Sequence, residues 1–226
     1  MEALRRPTLA DQAYEELQDQ IVSGQLAAGQ RLMADQLAEA LAISQTPVKE
    51  ALARLEQEGL VEVASRRAST VRRFTQSDIE EIYEARLLIE LHAATSGLAR
   101  GVVTPQFVDR LAQIFREHMV FIERQSQDGL AEAIRLDRAF HEMIVSLGGN
   151  RLMSGWHRIV QRQMQTVRNY SLRQYDLGRT RREHGAIVEA FAARKRDGVV
   201  AALRAHLTAS RDEILSRPPE ELPIRP

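Results

Sequence analysis

The stretch that most restricts the fold is residues 42–60, AISQTPVKEALARLEQEGL, because both of its ends are marked and its neighbours change period. Ser44 and Thr46 can each cap a helix start, Pro47 is tolerated only in a first turn, and Gly59 supplies a stop. Val48, Ala51, Leu52 and Leu55 make one apolar face, leaving Gln45, Lys49, Glu50 and Arg54 on the other. Two shorter helical patterns precede it. Thr8 caps the first, with Tyr14, Leu17 and Ile21 as its stripe, and the second runs from about Met33 to Ala42. After Gly59 the period drops to two: Val61 and Val63 alternate, a basic turn follows, and Val71 lies on the return, which predicts a small hairpin. Three helices and a two-stranded hairpin within 74 residues is the order of a winged helix-turn-helix.

A different pattern begins at the junction. Ser77 and Glu80 match the S-x-x-E capping box and predict the opening of a long helix. Further helical segments are predicted after Thr104-Pro105, through Ala131 to Leu147, after Gly148-Gly149-Asn150, from Thr180, and from Asp197. The fold class is therefore mainly α. A winged helix-turn-helix over residues 1–74 and a linker at 75–77 lead into an all-α antiparallel bundle over 78–216, with a proline-rich tail at 217–226 expected to be disordered. Hydrophobic residues at 44% and charged ones at 27% describe a soluble globular chain. There is no cysteine, which removes disulfides and thiolate ligands. No window approaches the roughly 18 apolar residues of a membrane span, and the N-terminus lacks an apolar secretory core. A cytoplasmic protein is expected.

The N-terminal half is a candidate reading head. In a helix-turn-helix the first residues of the second helix meet the base edges of the major groove. Here these are Ser44, Gln45, Thr46 and Lys49. Gln pairs bidentately with adenine, Lys reaches guanine, and either can hold a phosphate. Arg66 and Arg67 at the hairpin tip, with Arg72 and Arg73 on the return, suit phosphate or minor-groove contact. Total charge does not argue for DNA: the chain is neutral, and residues 1–74 hold nine Lys/Arg against eleven Asp/Glu. Placement argues for it, since seven of those acids lie before the turn.

Polar residues on apolar stripes mark the second half. Asp137 and His141, four apart, share a face with Ile134, Phe140 and Ile144. His184 lies on the stripe of Ile187, Val188 and Phe191, and His206 beside Val199, Ala202 and Leu203. The last two helices are expected to turn at Arg196-Asp197-Gly198, with His184 13 residues before Asp197 and His206 9 after it. At about 1.5 Å per residue the two differ in height by only ~6 Å. Each histidine alone reads as a core residue satisfied by local hydrogen bonds. Three of them with an Asp favour a shared divalent metal, Zn²⁺ first, with Ni²⁺, Mn²⁺ or Fe²⁺ also suited to N/O donors. His92, His118 and His157 lack this joint pattern and read as structural or surface residues.

Residues 17–71, LQDQIVSGQLAAGQRLMADQLAEALAISQTPVKEALARLEQEGLVEVASRRASTV, strongly resemble the DNA-binding domain of GntR-family bacterial repressors. Most members have Arg where this chain has Gln45 and Lys49, and the wing usually carries Gly where Ala68 stands. "DRAFH", "GGNRLM" and "EHGAIVEAFAARKRDGVVAALRAHL" resemble the FCD class of effector-binding domain. That resemblance implies metal ligands Asp137, His141, His184 and His206. It also implies a small carboxylate effector clamped by Arg86, whose alternative is a salt bridge to Glu90, with Asn150, Arg162 and Arg168 as weaker contributors. The expected protein is a homodimeric, ligand-responsive regulator, more commonly a repressor, on a pseudo-palindromic double-stranded operator. The opposing readings are a metal-dependent hydrolase or lyase and a repressor that senses the metal itself. No second inward carboxylate near the tetrad is evident to serve an enzyme as general base.

Overall fold

The computed structural model describes residues 7–65, 68–123, 127–169 and 176–216. Helix α1 spans Leu9–Val22, and Thr8 caps it in a reciprocal capping box with Asp11. Strand β1 is Arg31–Met33, α2 is Ala34–Ala40, α3 is Gln45–Gln57, β2 is Val61–Ser65 and β3 is Ala68–Val71. The second predicted helix is thus shorter than its pattern suggested. Met33 leaves it and joins Arg31 and Leu32 in a strand that pairs antiparallel with β3, giving a three-stranded sheet in the order β1-β3-β2. Three residues are too few for alternation to be visible in a sequence. Between α2 and α3 the chain turns at Ala42, whose φ of 54° is left-handed.

Tyr14, Leu17 and Ile21 of α1 form the core of this unit with Val48, Ala51, Leu52 and Leu55 of α3 and with Leu60 and Val71. A polar clamp reinforces the α1–α3 packing. Arg54 pairs with Asp11 at 2.8 Å and lies 4.0 Å over the Tyr14 ring, while the Tyr14 hydroxyl donates to Glu58 at 2.7 Å.

The second unit is helical among the described residues: α4 (Gln76–Ala99), α5 (Pro105–Glu123), α6 (Gln127–Ser146), α7 (Arg151–Asn169), α8 (Leu177–Ala193) and α9 (Arg196–Leu215). Chain contacts divide between Thr75 and Gln76, with the end of α7 from Gln165 grouped with the first unit. Three predicted ends move. Helix α4 begins at Gln76, so Ser77 sits inside its first turn instead of capping it. Asp176, not Thr180, caps α8, accepting from the Arg179 amide at 2.9 Å. The α8–α9 turn falls at Arg194, in left-handed conformation, and Lys195, while Arg196 to Gly198 are already helical. The core gathers Leu111 and Ile114 of α5, Leu136, Phe140 and Ile144 of α6, Ile187 and Phe191 of α8, and Val199 and Leu203 of α9. Helix α4 passes close to the end of α6 at Gly97, where a Cβ would stand 2.6 Å from Leu147 Cβ. No helix among the described residues is long and apolar enough to cross a membrane.

Candidate functional site

At the head, the apolar face of α3 is spent on the core, which fixes its opposite face outward. Ser44, Gln45, Thr46 and Lys49 are all exposed around its first turn. Ser44 occupies the N-cap position but makes no side-chain capping hydrogen bond. Arg66 and Arg67 lie outside the described residues. Arg72 reaches back to the Gly59 carbonyl and lies over the Phe74 ring, so it braces the sheet.

In the bundle, Asp137, His141, His184 and His206 are all buried. Ligand atoms of His141, His184 and His206 lie within 4.8 Å of one another, and so do those of His118, Asp137 and His184. The predicted four therefore fall into two overlapping groups that share His184, with His184 Nε2 3.2 Å from Asp137 Oδ1.

The orientation of the rings is the informative feature. His141 Nδ1 lies 2.8 Å from Glu90 Oε2, His206 Nδ1 lies 2.8 Å from Glu183 Oε2, and His184 Nδ1 lies 3.3 Å from the Thr180 carbonyl. An acceptor at Nδ1 fixes the proton there and leaves the Nε2 lone pair as the donor. The three Nε2 atoms make no hydrogen bond among the described residues. Burying three such lone pairs without a hydrogen bond is costly, and a cation satisfies them together. Burial, with the nearby Arg86 charge, lowers the His141 pKa to about 4. Burial, with His184 and His141, holds His206 well below its ordinary value. Both imidazoles are thus neutral at pH 7, the form that ligates. The donor set fits a divalent metal.

Glu90 overturns the expectation that no further inward carboxylate stands near the tetrad. It is fully buried, paired with Arg86 at 2.6 Å and 3.2 Å from His157 Nε2. Burial opposes its ionisation, but His141 and Arg86 hold its carboxyl well below the usual range. It backs the ligands from outside, and these contacts leave it no general-base role. Its signal was its position four residues after Arg86 on the same inward stripe.

The four proposed effector contacts separate. Arg86 is fully buried, held by Glu90 and by the Met164 sulfur at 2.7 Å from Nη1, and its Nη2 has no hydrogen-bond partner among the described residues. Asn150 is exposed and caps α7, its Oδ1 accepting from Leu152 and Met153 amides at 3.0 and 3.2 Å. That fully accounts for it as a helix cap. Arg162 is half-buried on α7, and the Arg168 side chain lies outside the described residues.

His118 and His157 are both fully buried, which excludes the surface half of their reading as structural or surface residues. His118 shares an apolar stripe with Leu111, Ile114 and Ile122, the same signature that singled out the other three.

A winged reading head followed by a helical bundle with a buried histidine cluster defines a two-domain, DNA-binding transcriptional regulator. The chain belongs to the GntR family of bacterial regulatory proteins, whose model matches residues 9–71, and carries an FCD domain, whose model matches residues 81–209. It is 30% identical over 142 residues to the HTH-type transcriptional regulator YdhC of Bacillus subtilis, spanning 62% of this chain and 61% of that one. It is 32% identical over 136 residues to an HTH-type regulator in the TAR-I ttuE-ttuC' intergenic region of Agrobacterium vitis, spanning 59% of this chain and 77% of the relative. The structure of E. coli McbR/YncC shares its fold, with a TM-score of 0.77 at 23% identity over 92% of this chain and 97% of that one. The two sequence relatives are transcriptional regulators, and the enzyme reading has no support among them.

Proposed function

We propose that this regulator is a homodimeric repressor whose grip on its operator is set by a small organic acid bound beside a divalent metal in the bundle. The observation that carries the metal is the set of three buried Nε2 atoms, each presented by a ring whose Nδ1 is already committed. Asp137, His141, His184 and His206 would hold the ion, which when bound supplies a Lewis-acidic centre for a carboxylate. Arg86 supports the effector: its Nη2 is a permanent cationic donor with no hydrogen-bond partner among the described residues. Ser44, Gln45 and Thr46 face the major groove, Lys49 beside them holds a backbone phosphate, and Arg66 and Arg67 grip the backbone. Two heads related by two-fold symmetry match a pseudo-palindromic site. The protein works in the cytoplasm, where its operator lies.

The test is operator affinity of the full chain in three states: chelated, metal-loaded, and metal-loaded with a panel of small carboxylates. A carboxylate that weakens binding only in the metal-loaded protein supports the reading. Unchanged affinity across the panel overturns the effector, and release by chelator alone assigns the signal to the metal. His184→Ala should lose the metal, and full metal content in that variant removes the assignment.

A further inference from the structure

We infer that His118 is a fifth protein donor to the same metal, so that the centre is built from four imidazoles and one carboxylate. This rests on the metal reading above. His118 is fully buried on α5, edge-on to His184 with ring centroids 5.4 Å apart and planes at 81°. Its ligand atom falls within 4.8 Å of those of Asp137 and His184, as those of His141, His184 and His206 do of one another.

Two overlapping groups could mean two metals or one, and His184 decides. Its Nδ1 faces the Thr180 carbonyl at 3.3 Å, an acceptor that keeps a proton on that nitrogen. A neutral imidazole protonated at Nδ1 has one lone pair, at Nε2, and gives it to one ion. His184 therefore cannot bridge two ions, and one centre is the arrangement in which both groups bind. Asp137, with its carboxylate 3.2 Å from that same Nε2, also lies within 4.8 Å of the His118 ligand atom. Five donors exceed the four of a closed tetrahedral zinc site. They match an ion that takes six ligands, such as Ni²⁺, Co²⁺, Fe²⁺ or Mn²⁺, and leave it one open position. The site thus selects against the tetrahedral zinc that three histidines and an aspartate alone would suit.

Cobalt is the probe, loaded into the full chain. X-ray absorption should count four imidazoles, and the visible spectrum should show the weak bands of a five- or six-coordinate ion. His118→Asn should lower cobalt affinity by about tenfold or more and reduce the imidazole count to three. Melting of its metal-free form shows whether it folds, and if it does not, the wild-type count decides. Cobalt uptake with three imidazoles and intense tetrahedral bands overturns the fifth donor and leaves the four-ligand centre standing. No cobalt uptake by the wild type overturns both.

Discussion

Glu183 is the residue that best separates holding a ligand from being one. It is partly exposed, and its carboxylate does nothing visible for the core except accept from His206 Nδ1 and pair with Arg179. Glu183→Gln should therefore leave the fold intact while loosening the His206 ring, with metal affinity falling about 10- to 100-fold. Titration with a competing chelator measures it, and unchanged affinity would show that the ring needs no such support. His141 makes a second case, argued from protons. In the metal-free protein its pKa is about 4 folded against 6.5 unfolded, so the unfolded chain binds the proton more tightly. Stability is then complete above about pH 6.5 and is lost as pH falls toward 4, by about 3 kcal/mol at full extent. His206 acts in the same direction. Thermal melts of chelated protein between pH 7.5 and 4.5 check this, and a flat midpoint would mean these rings are not neutral in the fold. The buried histidines and aspartate of the cluster were legible in the sequence because each is polar on an apolar stripe. Their supports were not, since Glu183 lies on a mixed surface and Glu90 was hidden behind its ordinary (i, i+4) partnership with Arg86.

Among the elements, α3 shows what periodicity alone foretold, a helix with one free polar face: the other is consumed by Val48, Ala51, Leu52 and Leu55, so this one must face solvent. Lys49→Ala removes a cation from that exposed first turn without touching the core. Operator binding should weaken about equally across sequences, and the slope of log affinity against log salt should fall by about one. Fluorescence anisotropy over a salt series tests this, and an unchanged slope would take Lys49 off the phosphates. Helix α4 depends on a contact no pattern in its own sequence announces. Gly97→Ala gains up to about 1 kcal/mol of helix propensity but drives a Cβ to 2.6 Å from Leu147 Cβ. Overpacking at a site with so little room costs about 1–3 kcal/mol, so the variant should melt lower. A higher midpoint would mean that α4 and the end of α6 separate easily. Sequence placed most helices correctly and erred at ends, where Asp176 outcompeted Thr180 and three residues joined a sheet whose other strands lie some 30–40 positions away.

For the whole molecule, the neutral net charge means that attraction to DNA comes from where cations stand. Composition alone could not show this, because the same 31 basic and 31 acidic residues fit many proteins. Effector control then has a thermodynamic signature that does not depend on the path linking the two domains. If a carboxylate at the metal lowers operator affinity by some factor, the operator must lower carboxylate affinity by the same factor. A coupling of about 1–3 kcal/mol corresponds to roughly 5- to 150-fold in each direction. Two titrations of the metal-loaded chain measure it, carboxylate with and without operator and operator with and without carboxylate. Equal ratios would establish that both ligands act on one equilibrium between two arrangements of the dimer. A large effect of carboxylate on operator binding with none in reverse cannot arise from that equilibrium, and would point to loss of metal or dissociation of the protomers during the titration.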